Sequence, residues 1–139
     1  MPSLQTYTAP IFVTAAYFIV YYGLITYGLS VRLKLVKSQG KEFDRYFSQD
    51  RELLASDRMQ LNTLEHMSPF LWALWLHAIL LSPTTAGYAG ALYVLTRMAY
   101  PFLLGRRLGR GIKSRVFLAT FSGYAIQTYL LGAVVAKLF

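Results

Sequence analysis

Arg58, Asn62, Glu65 and Pro69 are separated by four, three and four positions. At 3.6 residues per turn they fall on one helical face, which carries a cation, an amide and a carboxylate at successive turns. Arg97 and Tyr100 stand three apart and share a second face. Arg110, Lys113, Ser114 and Arg115 cluster further on, and Arg32 and Lys34 close the first apolar run. Cations that converge in this way suit a small anionic ligand, because an arginine grips a carboxylate through two parallel hydrogen bonds. A charge inside an apolar segment costs about 2.5–3.5 kcal/mol on insertion scales, so Glu65 must face protein or water and find a partner. Arg58, seven positions back, and Arg97 are the available cations. Two readings follow for Glu65: an interhelical ion pair that only sets packing, or the wall of a polar pocket. Topology alone also gathers cations at one end of such a bundle.

The elements that must position these residues are apolar. The chain has 139 residues, of which 55% are hydrophobic, 16% aromatic and only 14% charged. Soluble domains average about 25% charged residues. Mean hydropathy is +0.40. Residues 9–30 hold no charge, and about 20 such residues cross the hydrocarbon core of a bilayer. Further apolar segments run over residues 61–81, 88–104 and 116–135. Short connections follow the second and third segments, which makes their neighbours antiparallel. The composition therefore predicts an all-α integral membrane protein, with the whole chain, 1–139, forming one antiparallel bundle of four transmembrane helices.

The charges sort by loop. Arg32, Lys34, Lys37, Lys41, Arg45, Arg51 and Arg58 lie in or beside the first connection, with five acids among them. Arg106, Arg107, Arg110, Lys113 and Arg115 lie in the third, with none. The excess of Lys and Arg puts loops one and three in the cytoplasm and both termini on the opposite side. A bacterial inner membrane and the endoplasmic reticulum obey the same rule. Apolar residues scattered from Leu33 to Leu54 predict that the first connection packs as a helical extension of its spans.

Several function classes drop out. The net charge of +8 follows from topology and one basic site, so a nucleic-acid partner is not expected. There is no cysteine, hence no thiolate metal site and no cysteine nucleophile. His66 and His77 alone do not make a metal or haem site. The glycines of 105–111 lack the spacing of a phosphate loop. A small four-helix exporter would place its working carboxylate in the first span, which here is uncharged. Trp72 and Trp75 read as packing residues, and Gly123 and Gly132 as points of close helix approach.

The stripe Arg58-Met-Gln-Leu-Asn62-Thr-Leu-Glu65-His-Met-Ser-Pro69-Phe70 resembles the second-helix signature of the MAPEG family, the membrane-associated proteins in eicosanoid and glutathione metabolism. Arg97 and Tyr100 resemble the family's third-helix Arg with a His or Tyr three later. Lys113-Ser114 stands where glutathione-using members usually have Arg, often followed by Ser. Val31-Arg32-Leu33 resembles the basic end of the first helix. The resemblance implies a homotrimer, with membrane lipids and hydrophobic small molecules as its other partners. It implies glutathione as co-substrate, held by Arg32, Arg58, Asn62, Glu65, Arg97 and Tyr100, with Lys113 and Ser114 at the reacting thiolate. The implied activity is a glutathione-dependent transferase or peroxidase acting on lipid electrophiles. The alternative is a non-catalytic lipid-binding or scaffold subunit of a membrane complex. Three departures favour that alternative: Lys113 replaces Arg, and Leu104 and Phe117 stand where several members have Tyr.

Overall fold

The structure, a computed structural model, describes residues 4–109, 111 and 114–139, without the side chains of Leu4 and Lys41. Arg110, Ile112 and Lys113 lie outside the described residues. A 3₁₀ turn at Leu4–Tyr7 leads into helix α1, Thr8–Gln39. Helices α2, Arg51–Leu80, α3, Pro83–Leu104, and α4, Ser114–Leu138, follow. Among the described residues there is no strand.

Local chemistry sets the helix ends. Gly40 stops α1 at a φ of 58°, where a side chain would be strained, and its amide bonds to the Val36 carbonyl. Asp50 caps α2: its carboxylate accepts from the amides of Glu52 and Leu53, each at 2.9 Å. The Ser82 hydroxyl accepts from the Thr85 amide at 3.2 Å, and Pro83 occupies the first turn of α3, where its missing N–H costs nothing. Gly105, at a φ of 81°, ends α3. As expected, most of the first connection is helical, and residues 40–50 alone join α1 to α2. The second connection is tighter than the sequence suggests. Thr84 and Thr85 belong to α3, because the Ser82 cap starts the helix ahead of them.

Residue pairings give the topology. Arg32 meets Asp57, the Leu24 carbonyl meets Gln60, and Thr14 meets Trp75. The α1 number rises as the α2 number falls, so the two helices are antiparallel. Asn62 meets Arg97 across α2 and α3, and Arg97 and Tyr93 meet Ala119 and Gln127 across α3 and α4. Each consecutive pair is therefore antiparallel. Helices α2 and α3 each pack against both α1 and α4. Tyr17, Phe70 and Tyr93 form the aromatic centre. Phe70 and Tyr93 stack at 3.9 Å with planes 13° apart, and the Tyr17 hydroxyl donates to the Thr63 carbonyl. All three rings are fully buried.

The exterior is apolar. Phe12, Ile19, Leu92, Phe102, Phe121 and Leu138 are among the exposed large side chains. Two of the four helices, Gln5–Gln39 with its leading turn and Ser114–Leu138, are long and apolar enough to cross a membrane by length and composition. Only 22% of the most apolar window of either is buried within the molecule, so most of that apolar surface faces outward. Trp75 donates to the Thr14 hydroxyl at 3.2 Å, as a packing residue should. Trp72 does not pack: it is 68% exposed, because it lies on the outward side of α2.

Helix α3 approaches α1 through glycine. A Cβ at Gly90 would stand 2.7 Å from Val13 Cγ1 and 2.8 Å from Leu74 Cδ1. Gly90→Ala should therefore force α1, α2 and α3 apart and cost about 1–3 kcal/mol. Thermal unfolding in detergent checks this, and a wild-type midpoint would show that the helices are not in close contact there.

Candidate functional site

Helix α2 brings Arg58, Asn62, Glu65 and His66 to one side of a cavity of about 570 Å³. Tyr100 and Leu104 line it from α3, and Val116, Phe117, Thr120 and Tyr124 from α4. Leu108, Gly109 and Gly111 of the third connection close one end. That end is held down by the Leu108 amide, which donates to the Arg51 carbonyl at 3.1 Å. The lining is apolar toward Leu104, Leu108, Val116 and Phe117, and polar along α2.

Arg97 lies behind Asn62, outside the cavity lining. Its guanidinium is completely buried. It donates from Nη1 to Asn62 Oδ1 at 3.1 Å, from Nη2 to the Ala119 carbonyl at 2.8 Å and from Nε to the Thr96 hydroxyl at 3.4 Å. Its Cζ lies 5.2 Å and 5.9 Å from the ring centroids of Tyr93 and Tyr100, within the range where an aromatic face attracts a cation. Among the described residues no carboxylate pairs with it. A positive charge therefore lies behind the site, met among the described residues by dipoles and ring faces. The contact with Asn62 has a further consequence. The oxygen of this amide faces the guanidinium, so the two NH₂ donors of Asn62 are the groups it can present elsewhere without giving up that bond.

Gly123 makes room for this cation. A Cβ there would lie 2.5 Å from Arg97 Nη2 and 3.3 Å from Tyr93 Cε2. The expected close approach is thus real at Gly123. At Gly132 a Cβ would meet nothing within 4 Å.

The other residues singled out by sequence divide into two groups. Arg58, Asn62, Glu65 and Tyr100 line one cavity, with Arg97 behind Asn62. Glu65 is exposed and has no ion-pair partner among the described residues, so neither Arg58 nor Arg97 neutralises it within the subunit. Arg97 is turned toward Asn62 and α4 instead. Arg32 is not in the cavity lining: Nη2 pairs with Asp57 Oδ1 at 2.8 Å between α1 and α2. Lys34 pairs with Glu52 at 3.1 Å. Ser114 is exposed at the start of α4, outside the cavity lining. Lys113 lies outside the described residues.

The structure adds residues that spacing alone did not single out. Thr120, Tyr124 and Gln127 lie four and three apart on α4. The first two line the cavity, and Gln127 donates to the Tyr93 hydroxyl at 2.8 Å. The same spacing that exposed the α2 stripe was present here, but hydroxyls and an amide are hard to see within an apolar span. His66 packs its ring against Tyr124 at 4.9 Å. Among the described residues there is no group of three His, Asp or Glu that could hold a metal.

A family model for the MAPEG family matches residues 10–136. An uncharacterized protein of Synechocystis is 49% identical over 43 residues, which cover 31% of this chain and 31% of that protein. The chain thus spans about a third of the length of this curated relative in the matched region. No solved structure matches the chain.

The buried network predicts an asymmetry between two arginines. Arg97→Met leaves Asn62 and the Ala119 carbonyl without their charged donor, and hydrogen bonds to charged groups contribute about 1.5–3 kcal/mol each. Arg58→Met removes an exposed side chain and should stay within about 0.5 kcal/mol of wild type. Thermal unfolding of both variants in one detergent checks the ordering. Equal midpoints would mean that the Arg97 network does not hold the bundle.

Proposed function

The chain belongs to the MAPEG family, and from that membership and the lining of the cavity we propose that it is a glutathione-dependent transferase or peroxidase for hydrophobic electrophiles. The observation behind this reading is that Arg58, Asn62, Glu65 and Tyr100 line one cavity, with a buried guanidinium beneath them. Glutathione carries two carboxylates, one ammonium and a thiol. Arg58 matches a carboxylate, Glu65 matches the ammonium, and the NH₂ of Asn62 matches a carboxylate or peptide carbonyl. The positive charge of Arg97 behind Asn62 favours an anion in the cavity, which includes a thiolate. Lys113 supplies a second cation for the sulfur, as a point charge in place of the planar fork of Arg. The apolar wall of Leu104, Val116 and Phe117 suits a lipid electrophile that arrives from the bilayer.

The same reading makes α2 and α3 membrane spans. They pack between α1 and α4, and at 1.5 Å per residue the 22 residues of α3 give about 33 Å. Loops one and three face the cytoplasm. Exposed Glu65 and Arg58 at the open side of the cavity are costly in lipid, which supports a homotrimer in which a neighbour covers them. Arg32, paired with Asp57 in the subunit, is then a candidate to contact a site across the interface.

One observation favours a second reading, a non-catalytic lipid-binding or scaffold subunit. Leu104 and Phe117 line the cavity without a hydroxyl to offer a sulfur.

Calorimetric titration of the detergent-purified protein with glutathione separates the two readings. Binding is expected for wild type. Glu65→Gln should weaken it about tenfold, the loss of one charge-assisted contact, with the oligomer intact. Dissociation of the oligomer instead would make Glu65 a packing residue. Lys113→Ala should lower the rate of conjugation more than the affinity, and unchanged rates would remove Lys113 from the chemistry.

A further inference from the structure

The cavity lining holds one imidazole, and the matched residues do not include it. His66 follows Glu65 on α2 and lines the cavity, yet is only 5% exposed. The second histidine, His77, has its ring tied to the protein, with Nδ1 3.1 Å from the Leu130 carbonyl. His66 is different. Its backbone carbonyl accepts from Gln127, but no described residue hydrogen-bonds its ring. The ring is positioned by packing instead, against Tyr124 at 4.9 Å with planes 53° apart. An imidazole held by an aromatic contact, with its nitrogens free, is arranged to exchange a proton with whatever fills the cavity.

The charged and titratable groups around it come from each packed helix. Glu65 neighbours it on α2. Arg58 of α2 and Tyr100 of α3 line the same cavity, Arg97 stands behind Asn62, and Tyr124 meets the ring from α4. Tyr17 of α1 has its hydroxyl committed to the Thr63 carbonyl. Arg97 cannot take a proton, and Tyr93 receives its hydrogen bond from Gln127. Glu65 is the complement of a ligand ammonium. Arg58 and Tyr100 bring a guanidinium and a phenol to the lining, and His66 brings its one imidazole, a neutral base.

We propose that His66 accepts the thiol proton of the bound ligand, so that the thiolate forms as one half of an ion pair with the imidazolium. The proposal rests on the glutathione reading of the same cavity. In the step the S–H bond breaks, the proton moves to the free imidazole nitrogen and the electron pair stays on sulfur. The thiolate can then bond to an electrophilic carbon, and the imidazolium proton is available to the group that leaves. The charge of Arg97 behind Asn62 favours the anion, and His66 takes its proton.

The test is glutathione binding to the intact protein in detergent, by calorimetry at neutral pH in buffers of different ionisation enthalpy, with thiolate absorbance followed on the same sample. If His66 is the acceptor, wild type forms thiolate on binding and releases no proton to the buffer. His66→Gln should retain glutathione binding while the thiolate either disappears or forms with release of a proton. Conjugation to an activated aryl halide should fall about 100-fold in that variant. Tyr124→Phe keeps the ring contact and should keep the wild-type proton count. Thiolate formed with a proton released from wild type overturns the role of His66 and leaves the glutathione site standing, as does binding without thiolate. Absence of glutathione binding to wild type instead overturns the reading of the site, and this inference with it.

Discussion

The Arg97 guanidinium is the charge around which the rest is arranged. A fully buried cation without a carboxylate partner is expensive unless its donors are met. Here they are met from separate places: the Asn62 amide on α2, the Ala119 carbonyl on α4 and the Thr96 hydroxyl on its own helix, with the faces of Tyr93 and Tyr100 beside it. Each of those contacts requires α2, α3 and α4 to lie in one register. A glycine at 123 then follows, since a side chain there would occupy the space of the guanidinium. One buried charge thus couples the packing of three helices to the orientation of Asn62.

That coupling explains why the cavity lies where it does. Below it, Phe70 stacks on Tyr93 and seals the bundle with aromatic surface. Above it, the third connection is pinned to the start of α2 through Leu108 and Arg51. Between them, α2 turns its polar face toward α4, whose Thr120 and Tyr124 complete the wall. Helix α1 stays out of this arrangement. Its arginine is held by Asp57 on the far side of α2, so the subunit has two separate polar seams, one between α1 and α2 and one around Arg97. The first joins two helix ends that carry many charges, where an ion pair contributes little. The second lies among apolar helices, where each unmet donor would cost more.

Much of this was legible in the residues. Helix number, order and the antiparallel arrangement follow from apolar runs of spanning length joined by short connections. The α2 stripe follows from charge in an apolar context, which is rare enough to be visible at once. Spacing also identified Arg97 as a partner for α2. The partner it offered was Glu65, and the structure gives Asn62 instead, because the two share a face one turn apart and a long side chain reaches either. The polar positions of α4 were hidden, because Thr, Tyr and Gln change the character of an apolar helix much less than Glu or Arg does.

By itself, then, the sequence determined the four helices, their apolar exterior and the face of α2 that had to be buried or covered. These depend on local periodicity and on the cost of charge in an apolar medium, both of which are written along the chain. Only the tertiary structure decided that Arg97 bonds to Asn62 and leaves Glu65 exposed, that Asp57 holds Arg32 away from the cavity, and that His66 meets Tyr124 with its ring nitrogens engaged by no described residue. Those outcomes depend on which of several nearby groups comes within hydrogen-bond distance. That is set by the rotation and depth of each packed helix, which residue spacing within one helix does not contain.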